Sequence, residues 1–590
     1  RNNQPMLGSC WSEEWWIECI RNSDKYQSLS DEEKEAFNLN AMQTRHFTVE
    51  EAFEITREFD VPLHPDYTYY YNDISIEDLI SLKEWLDTKR DYLDDGYQKG
   101  EDLKLDLSYQ KRILEVLGLC HKLEDGQVVI EKNDAYALLS TVSGDYSGYV
   151  GENHTKLKVV DVLCETLDFE IKDKAPCYIG TRVGRPEKSK ERLMKPAPHS
   201  LFPIGNEGGS RRLIAEAARK GKIQVEIARR QCTNCQLSSF KAICPHCGAP
   251  TVIGAAGKKT INLAAMLRKA SENIGVRKVD EVKGVKGLIS EDKLPEPLEK
   301  GILRAKNNVF TFKEGTIRHD STDLPLTHFI PSEIGVSVDK LLEMGYENDC
   351  YGNPIENEDQ IIELKVQDLV VSTNCGDYLV GVANYIDDLL EKFYDMDRFY
   401  NVESRTDLIG HLVAGLAPHT SAGVLGRIVG FTTARGCYAH PYFHSAKRRN
   451  CDSDEDSVLL LLDALINFSK SYLPSTRGGS MDAPLVLSTR IDPEEIDDES
   501  HNLDVFERFP LKFFEESQKP LKPQEIVDMG LIDNVSMHLG TDLQYHDLMF
   551  SHHTSSIHAG PKVCLYKRLG SMKEKVEAQI NLAELIRAVD

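Results

Sequence analysis

The sequence lacks several features that define common protein classes. Its longest run without a polar residue, Leu412–Pro418, is far shorter than the ~20 apolar residues that a membrane-spanning helix needs. Its 14 cysteines among 590 residues are too sparse for a disulfide scaffold. No charged and apolar leader opens the chain. We therefore expect no membrane association and a reducing, cytoplasmic setting. Because the chain begins at Arg1 and stops inside a helical pattern at Asp590, we also expect it to be a piece of a longer protein.

Positive charge is scarce as well. The chain has 70 Lys and Arg residues against 95 Asp and Glu residues, a formal net charge of −25. Proteins that coat nucleic acid are normally basic. However, charges are screened beyond ~8–10 Å in cellular salt, so a local basic channel can exist in an acidic body. The clustering of cations therefore matters more than their total.

The usual nucleotide-binding loops are absent too. No Gly-Lys-Ser/Thr motif follows a strand, and Gly254–Thr260 has the wrong spacing for a P-loop. A glycine-rich turn, Gly205–Arg212, precedes a helical pattern and could cradle a phosphate with its backbone N–H groups. Arg211 and Arg212 in this turn are candidate phosphate ligands.

What is present is a periodic, globular pattern, with 41% hydrophobic and 28% charged residues. It predicts an α+β multidomain protein. The expected regions are a helical accessory domain (1–145), a strand-rich domain (146–335) with a cysteine-rich insertion (228–252), a helical connector (336–405), a second strand-rich domain (406–500) and a mixed region (501–590).

Several local elements follow from the same patterns. We expect helices in three places and strands in three others, and we expect the tyrosines of Tyr67–Tyr71 to pack in a core rather than stack on bases. The expected helices are Ser75–Leu86, Tyr378–Phe393 and Val458–Phe468, and the expected strands are Lys156–Val162, Cys177–Arg182 and Asn308–Phe312.

The most specific local signal is a pair of Cys-x-x-Cys motifs. They comprise Cys232, Cys235, Cys244 and Cys247, with eight residues between the two pairs. Each motif can present two thiolates to one tetrahedral Zn²⁺, and four protein ligands leave no open position for catalysis. The pattern predicts a structural zinc site on a hairpin, with His246 facing solvent.

The second dense constellation is the segment Lys447–Asp456. Asp452 and Asp454 would share a face in extended backbone, with Asn450 in line before them. Two carboxylates ~4 Å apart repel by about 4 kcal/mol at an effective dielectric of ~20, so a cation would relieve them. Oxygen ligands favour Mg²⁺. The preceding cations Lys447, Arg448 and Arg449 would suit a phosphate-bearing substrate.

Other interpretations of this segment remain open on spacing alone. It resembles the start of an EF-hand loop with Asp463 at the twelfth position, although Ser457 replaces the turn glycine. An Asp-x-Asp pair also occurs in sugar-nucleotide transferases. The simplest alternative is a solvated, acidic N-terminus of a helix starting near Asp456. Nearby, His440 and His444 could ligate a metal together with Cys437.

Two further stretches have composition that suits a nucleic-acid partner. Arg182–Lys195 carries six basic and two acidic residues and contains the candidate phosphate ligands Arg185 and Lys195. Gly423, Gly426 and Gly430 allow close approach of another backbone, and packing within a small barrel is the favoured cause.

Ordered stretches of the sequence resemble the large subunit of the archaeal family-D DNA polymerases. They lie in the same order as in that family, from about residue 55 to the end. The matching stretches are Gly184–Lys188, Met194–Pro196, Leu201–Gly205, Pro295–Arg304, Ile409–Gly430, Tyr438–His444 and the acidic signature Lys447–Asp456.

The resemblance implies a template-directed nucleotidyltransferase whose core is two double-psi β-barrels. It implies that Asp452 and Asp454 hold catalytic Mg²⁺, two ions in the family, and that Lys188 and Lys190 face the same cleft. The cysteine insertion is similar to one of the family's structural zinc ribbons. Two positions depart from the family pattern: Ser453 stands where Gly is usual, and Ser480 stands where Lys is expected.

The same resemblance implies partners. These are primer-template DNA with deoxynucleoside triphosphates, a small subunit that supplies a 3′–5′ exonuclease, and a sliding clamp and primase reached through regions outside this chain. A non-catalytic, zinc-bearing nucleic-acid scaffold is the main alternative.

Overall fold

The computed structural model describes residues 5–39, 42, 45–149, 157–175, 193–277, 281–449, 455–550, 556–559 and 569–584. These ranges contain both helices and strands, as expected for an α+β protein. The helices of the first part are α1 (Glu13–Asn22), α2 (Asp24–Gln27), α3 (Asp31–Phe37), α4 (Val49–Phe59), α5 (Ile76–Leu86), α6 (Lys111–Val116), α7 (Lys132–Thr141) and α8 (Val159–Thr166). The strands of that part are β1 (Leu103–Asp106), β2 (Lys122–Glu124) and β3 (Gln127–Ile130).

The second part is longer and richer in strands. Its helices are α9 (Ile214–Arg219), α10 (Leu263–Asn273), α11 (Leu298–Lys306), α12 (Pro331–Ile334), α13 (Val338–Glu343), α14 (Thr373–Leu389), α15 (Pro441–Ala446), α16 (Leu461–Asn467), α17 (Arg477–Ser480), α18 (Leu511–Ser517), α19 (Pro523–Asp528) and a last helix, Met572–Glu584. Its strands are β4 (Lys222–Ile227), β5 (Arg230–Cys232), β6 (Ser238–Ser239), β7 (Thr251–Ile253), β8 (Gly257–Asn262), β9 (His319–Pro325), β10 (His328–Phe329), β11 (Ile362–Glu363), β12 (Asp368–Ser372), β13 (Leu412–Leu416), β14 (Ala422–Thr432), β15 (Gly436–Ala439), β16 (Glu455–Leu460) and β17 (Val486–Ser488).

The first part has its own hydrophobic core. Helix α5 begins as the sequence predicts, because Ser75 and Asp78 cap each other's backbone N–H groups in a capping box. The rings of Tyr67, Tyr69 and Tyr71 are buried in this core, so the packing interpretation of the tyrosine run is confirmed. The core extends to Ile171 and takes in Phe514 of α18, whose ring stacks on Trp15 at 5.6 Å. It therefore continues beyond the predicted boundary at residue 145.

The second part is built around a closed ring of strands. A seven-stranded mixed sheet has the order β12-β15-β9-β16-β13-β14-β17, and β12 also pairs with β14. The β12–β14 pairing thus closes six of these strands into a ring: β12, β15, β9, β16, β13 and β14. The β12–β14 and β15–β9 pairs are parallel, whereas β12–β15, β9–β16, β16–β13 and β13–β14 are antiparallel. Helix α14 packs against this ring. The helix predicted at Tyr378–Phe393 is confirmed, although it begins five residues earlier, at Thr373, and its final turn, Leu390–Tyr394, is a π-helix.

The ring crosses the domain boundaries that the sequence pattern suggested. Strand β9 comes from the region assigned to the first strand-rich domain, and β12 comes from the helical connector. Both pair with strands from residues 406–500. In the first strand-rich region, the described residues other than β9 and β10 form only the β4–β8 pair, the small β6-β5-β7 sheet and isolated bridges such as Pro203–Val285.

Glycines in β14 are required by packing inside the ring. A Cβ on Gly426 would lie 2.9 Å from Leu369 and 3.1 Å from Phe443, and one on Gly430 would lie 2.7 Å from Ile334. Real Cβ atoms do not pack that closely without displacing their neighbours. At Gly423 the nearest atom is 3.5 Å away, an ordinary contact. Barrel packing therefore explains Gly426 and Gly430.

Three secondary-structure predictions are wrong. Val159 and Val160 begin helix α8 rather than lie in a strand, because burial of its apolar face outweighs the weak strand preference of valine. Residues 308–312 are not a strand: the Thr311 N–H donates to the Pro198 carbonyl, and the Phe312 N–H donates to Thr316. The stretch Cys177–Arg182 lies outside the described residues.

The third error concerns the segment after the acidic motif. Residues 455–460 form strand β16, and helix α16 begins only at Leu461. The strand runs between β9 and β13 with both faces buried, so its apolar residues are continuous rather than alternating. Such a run cannot be distinguished from a buried helix by periodicity. Elsewhere, none of the helices among the described residues combines the length and the apolar character that crossing a membrane requires.

Candidate active site and cysteine cluster

The acidic segment connects two well-anchored elements. Helix α15 ends at Ala446 just before it, and β16 begins at Glu455 just after it. Three predicted site residues of the segment, Asn450, Asp452 and Asp454, lie outside the described residues. The predicted residues of the first basic loop, Arg185, Lys188 and Lys190, also lie outside them.

A buried cluster of charges joins the two ends of the acidic segment. The Lys447 ammonium donates to Asp456 Oδ2 at 2.6 Å and to Asp323 Oδ2 at 2.7 Å. Arg449 Nε donates to Asp456 Oδ1 at 3.1 Å. His444 completes the cluster, with Nδ1 3.2 Å from Asp323 Oδ2 and Nε2 3.0 Å from the Leu324 carbonyl oxygen. We call Asp323, His444, Lys447, Arg449 and Asp456 the ion cluster.

Burial strongly affects the ionisation of the side chains in the ion cluster. The exposed fraction of the side chain is 2% for Lys447 and 1% for Asp323. Burial raises the pKa of Asp456 to about 7, although the Lys447 ammonium pulls it down. Burial opposes ionisation of Asp323 too, but Lys447 and His444 hold the pKa of that carboxyl well below its usual range. Lys447 stays charged because the two carboxylates raise its pKa against the effect of burial.

Glycine makes room for this lysine. A Cβ on Gly415 of β13 would lie 3.0 Å from Lys447 Cδ and 2.9 Å from Phe443 Cζ. The lysine stem thus crosses the inside of the ring with β13 backbone against it. The ring architecture, rather than the local sequence, brings the ammonium to Asp323.

The predicted phosphate ligands have different surroundings. Lys447 is an interior residue rather than a surface cation, because its charge is taken up by two buried carboxylates. Arg448 is exposed, with a left-handed backbone (φ 61°). Arg211 is exposed and pairs with Glu281 at 2.9 Å, Arg212 is half-buried, and Lys195 is exposed.

Sequence reasoning missed Asp323 and the role of Asp456. Asp323 lies 124 positions before Lys447 in the chain, so no local spacing connects them. One signal existed: β9 contains two aspartates, Asp320 and Asp323, in a strand. Aspartate is depleted in strands, and a buried one requires a partner.

A second buried ionic group was also missed. Arg304 of α11 forms a two-pronged pair with Glu296 at 2.7 and 2.8 Å, and both side chains are fully buried. Arg304 also donates to the carbonyl of Gly315 at 2.9 Å. Asp463 of α16 accepts the Ile317 N–H at 2.7 Å, and burial raises its pKa to about 6. These contacts tie α11 and α16 to the chain just before β9.

That arrangement removes two alternatives for the acidic segment. Asp463 is an interior residue of α16, so it cannot complete an EF-hand loop. Asp456 lies in strand β16, and the next helix in the described part of the chain begins only at Leu461, so the solvated helix N-terminus is wrong as well.

The proposed histidine site is not assembled either. His440 Nδ1 accepts the Tyr442 N–H, and His444 belongs to the ion cluster. Among the described residues, Cys437, His440 and His444 do not form a group of three possible metal ligands.

The four cysteines of the paired motifs come together as predicted. Cys232 ends β5, and all four sulfur atoms lie within 4.8 Å of one another. The measured Sγ···Sγ distances are 3.4 Å for Cys232–Cys247, 3.5 Å for Cys235–Cys244 and 3.6 Å for Cys235–Cys247. Around a Zn²⁺ with ~2.3 Å bonds, tetrahedral sulfurs stand ~3.8 Å apart, so the donor set fits zinc. His246 is exposed, as expected.

Backbone hydrogen bonds stabilise the thiolate form of Cys232 in this cluster. The N–H groups of Asn234 and Cys235 each donate to Cys232 Sγ at 3.3 Å. Burial raises the pKa of Cys232, but these donors outweigh burial and lower it to about 6. A thiolate is the form that binds a metal ion.

Comparisons with known proteins cover the whole chain. The catalytic-domain model of the "DNA polymerase II large subunit DP2" family matches residues 275–575, and its central-domain model matches residues 1–263. The junction between the two matches falls just after β8, upstream of the strand ring.

Curated relatives agree with these matches. The DNA polymerase II large subunit of Methanothermobacter thermautotrophicus is 60% identical over 594 residues, covering 100% of this chain and 52% of the relative. Those of Methanosphaera stadtmanae and Pyrococcus furiosus are 57% and 44% identical, again over 100% of this chain and 53% and 51% of theirs. The chain thus spans about half the length of the curated relatives it matches.

Proposed function

The chain belongs to the DNA polymerase II large subunit family, and from that premise we propose that it carries the nucleotidyl-transfer site of a DNA-directed DNA polymerase. In this proposal the site extends a primer 3′-hydroxyl with deoxynucleoside triphosphates. The observation that carries the proposal is the ion cluster, which fixes both ends of the acidic segment from within the ring. A segment whose two ends are fixed in this way suits a site that must hold its ligands within tight limits.

We assign the metal-holding role to Asp452 and Asp454, with Asn450 beside them. Their oxygen donors fit Mg²⁺, which would neutralise phosphate charge and help the 3′-hydroxyl ionise when bound. Arg448, exposed next to the segment, is placed to attract the triphosphate. Lys188 and Lys190 are proposed to face the same cleft from the first strand-rich region, with Arg185, Lys195, Arg211 and Arg212 along the path of the DNA backbone.

Lys447 receives a positioning role in this account. It cannot reach a substrate phosphate without breaking two buried ion pairs. By holding Asp456 and Asp323 together it fixes the start of β16, and through Arg449 it fixes the other end of the acidic segment. In this proposal the cation acts on the carboxylates of the segment only through the backbone.

The same proposal covers fold and zinc. We propose that the six-stranded ring is the second of two double-psi β-barrels. We also propose that the cysteine hairpin binds one structural Zn²⁺ through Cys232, Cys235, Cys244 and Cys247. The wording "large subunit" in the names of the relatives implies a smaller partner, and we propose that a small exonuclease subunit binds this protein.

Primer extension by the complex of the full large subunit with its small subunit tests the proposal. Asp452→Asn and Asp454→Asn should each lower extension by at least about 1,000-fold while primer-template binding persists. The matched control is Asp498→Asn, a fully exposed carboxylate, which should leave extension unchanged. Full activity in either acidic-segment variant would refute the catalytic assignment and favour the nucleic-acid scaffold.

A further inference from the structure

A pocket of 440 Å³ lies beside the cysteine hairpin. One wall comes from hairpin residues 237–241, between the two cysteine pairs, and the opposite wall from helices α10 and α11. Phe393, in the turn that follows α14, closes one side. The volume is in the ~300–1,000 Å³ range of pockets that bind small molecules.

Aromatic rings and cations alternate around this pocket. The guanidinium carbon of Arg229 lies 5.8 Å from the centre of the Phe240 ring. The Lys241 ammonium lies 5.3 Å from the centre of the Phe393 ring. Lys269 of α10 adds a third cation to the lining. Flat rings next to cations are the groups that bind nucleotides in single strands.

The charges of the pocket do not balance within the protein. Arg229, Lys241 and Lys269 form no ion pair with any carboxylate in the described ranges. Two glutamates also line the pocket, but Glu296 is committed to Arg304 and Glu299 accepts a hydrogen bond from Asn273 at 2.9 Å. Three cations therefore line the pocket together with one carboxylate, Glu299, that forms no ion pair among the described residues, in a chain whose net charge is −25.

One buried donor in the pocket wall is unsatisfied. Arg229 Nε is buried and has no hydrogen-bond partner in the part of the chain that the structure describes. Leaving such a donor unpaired costs about 1–3 kcal/mol, so buried donors are normally satisfied by protein, water or ligand.

We infer that this pocket binds one unpaired nucleotide of single-stranded DNA. The base stacks on the ring of Phe240, and the flanking phosphates are neutralised by Arg229, Lys241 and Lys269. The identity of the ligand as DNA rests on the proposed function, whereas the combination of rings and cations comes from the pocket itself. A base that is paired in a duplex could not enter, so the pocket selects the unpaired strand.

The cysteine cluster controls the shape of the pocket in this account. Phe240 and Lys241 belong to the stretch that connects the Cys235 and Cys244 ligands. Holding those sulfurs together holds the wall that carries the ring and the ammonium.

The test measures affinity of the full chain for two labelled 12-nucleotide single strands, one natural and one abasic throughout. Phe240→Ala should weaken binding of the natural strand about 5- to 150-fold, the range expected for loss of one stacked base. It should leave binding of the abasic strand unchanged. The matched control is Phe399→Ala, an exposed ring outside the pocket. Equal weakening of both strands, or of neither, would overturn the inference.

A second variant avoids any effect on packing. Lys269→Glu reverses an exposed charge and should weaken the natural strand and reduce the salt dependence of its binding, with zinc content unchanged. Lys258→Glu, on the exposed side of β8, is the control. If Lys269→Glu instead releases the small subunit and leaves DNA affinity intact, a protein segment occupies the pocket and the inference is wrong.

The two proposals can fail separately. Asp452→Asn should abolish extension but retain the affinity difference between the natural and abasic strands. A wild-type complex that shows this difference without extending primers would refute the proposed function and leave the pocket assignment standing.

Discussion

The cysteine cluster and the ion cluster balance their negative charges with cations from different sources. The cysteines are neighbours in the sequence, with four ligands within sixteen consecutive positions. Their geometry suits a metal cation taken up from solution. The ion cluster draws its members from β9, from α15 and the residues just after it, and from β16, and it contains its own cation, Lys447. A site whose ligands are local can be found by spacing, whereas a site assembled by a strand ring cannot.

The difference also separates what each site requires. A metal site of four thiolates depends on its ion for stability, because the hairpin around it has little core. The ion cluster has its compensation built in, but it depends on every partner, since removal of one leaves a buried charge unpaired.

The largest effect is expected at the cysteine cluster. Cys244→Ser should reduce bound zinc from one ion per chain to none, because three thiolates hold the ion far less tightly. Metal binding contributes ~10–16 kcal/mol in isolated zinc fingers, so the hairpin should open locally and become sensitive to trypsin. Elemental analysis and limited proteolysis measure both outcomes. Cys120→Ser, at an exposed thiol, should change neither, and zinc retained by the Cys244 variant would refute the four-cysteine site.

The next largest effect is expected at Lys447. Lys447→Met removes the cation between two buried carboxylates and should lower the free energy of unfolding by about 3–5 kcal/mol, measured by urea denaturation. It should also abolish primer extension, because the base of the acidic segment is released. Arg448→Met, one position away and exposed, should cost less than about 0.5 kcal/mol. Equal losses of unfolding free energy in the two variants would show that the ion cluster does not stabilise the ring.

Two glycines of one strand provide a smaller and well-matched comparison. Gly426→Ala should lower the free energy of unfolding by about 1–3 kcal/mol, because its Cβ would meet Leu369 and Phe443 inside the ring. Gly423→Ala, three residues earlier in β14, has no atom closer than 3.5 Å and should cost far less. Urea denaturation of both variants measures the difference, and the reverse order would contradict the packing described for β14.

Buried histidines give the smallest effect, a dependence of stability on pH. Burial lowers the pKa of His440 to about 3, below its ordinary value of ~6.5. The unfolded chain therefore binds the proton first, and stability falls as the pH drops below ~6.5, by up to about 1.4 kcal/mol per pH unit. His440→Asn should flatten the fall in stability between pH 7 and 5, while His419→Asn, at an exposed site, should not. An unchanged slope in the His440 variant would contradict the assignment of a neutral, buried ring.

Sequence reasoning went furthest where the signal is local. The capping box at Ser75, the helix around Tyr378 and the convergence of four cysteines all depend on residues close together in the chain, and all are found in the structure. Patterns of hydrophobicity failed at Val458–Leu460, where a strand buried on both faces looks the same as a buried helix.

The candidate site was only half accessible to such reasoning. The charge density of the acidic segment singles it out in the sequence. No local pattern reveals the buried residues that bind its two ends. Asp323 and Lys447 meet because β9 pairs with both β15 and β16, the strands that precede and follow Lys447 in the chain. The burial of Lys447 could not be predicted either, since a lysine between an alanine and two arginines reads as a surface cation.

The central claim is that the acidic segment whose two ends the ion cluster joins holds divalent metal, and metal-directed cleavage of the polypeptide tests it most directly. Fe²⁺ substituted for Mg²⁺, with ascorbate and peroxide, cuts backbone next to the bound ion, and mass spectrometry locates the cuts. The account predicts cuts within residues 450–456 that disappear in Asp452→Asn and Asp454→Asn and persist in Asp498→Asn. Cuts elsewhere in the chain, or cuts in this segment that survive both substitutions, would contradict it.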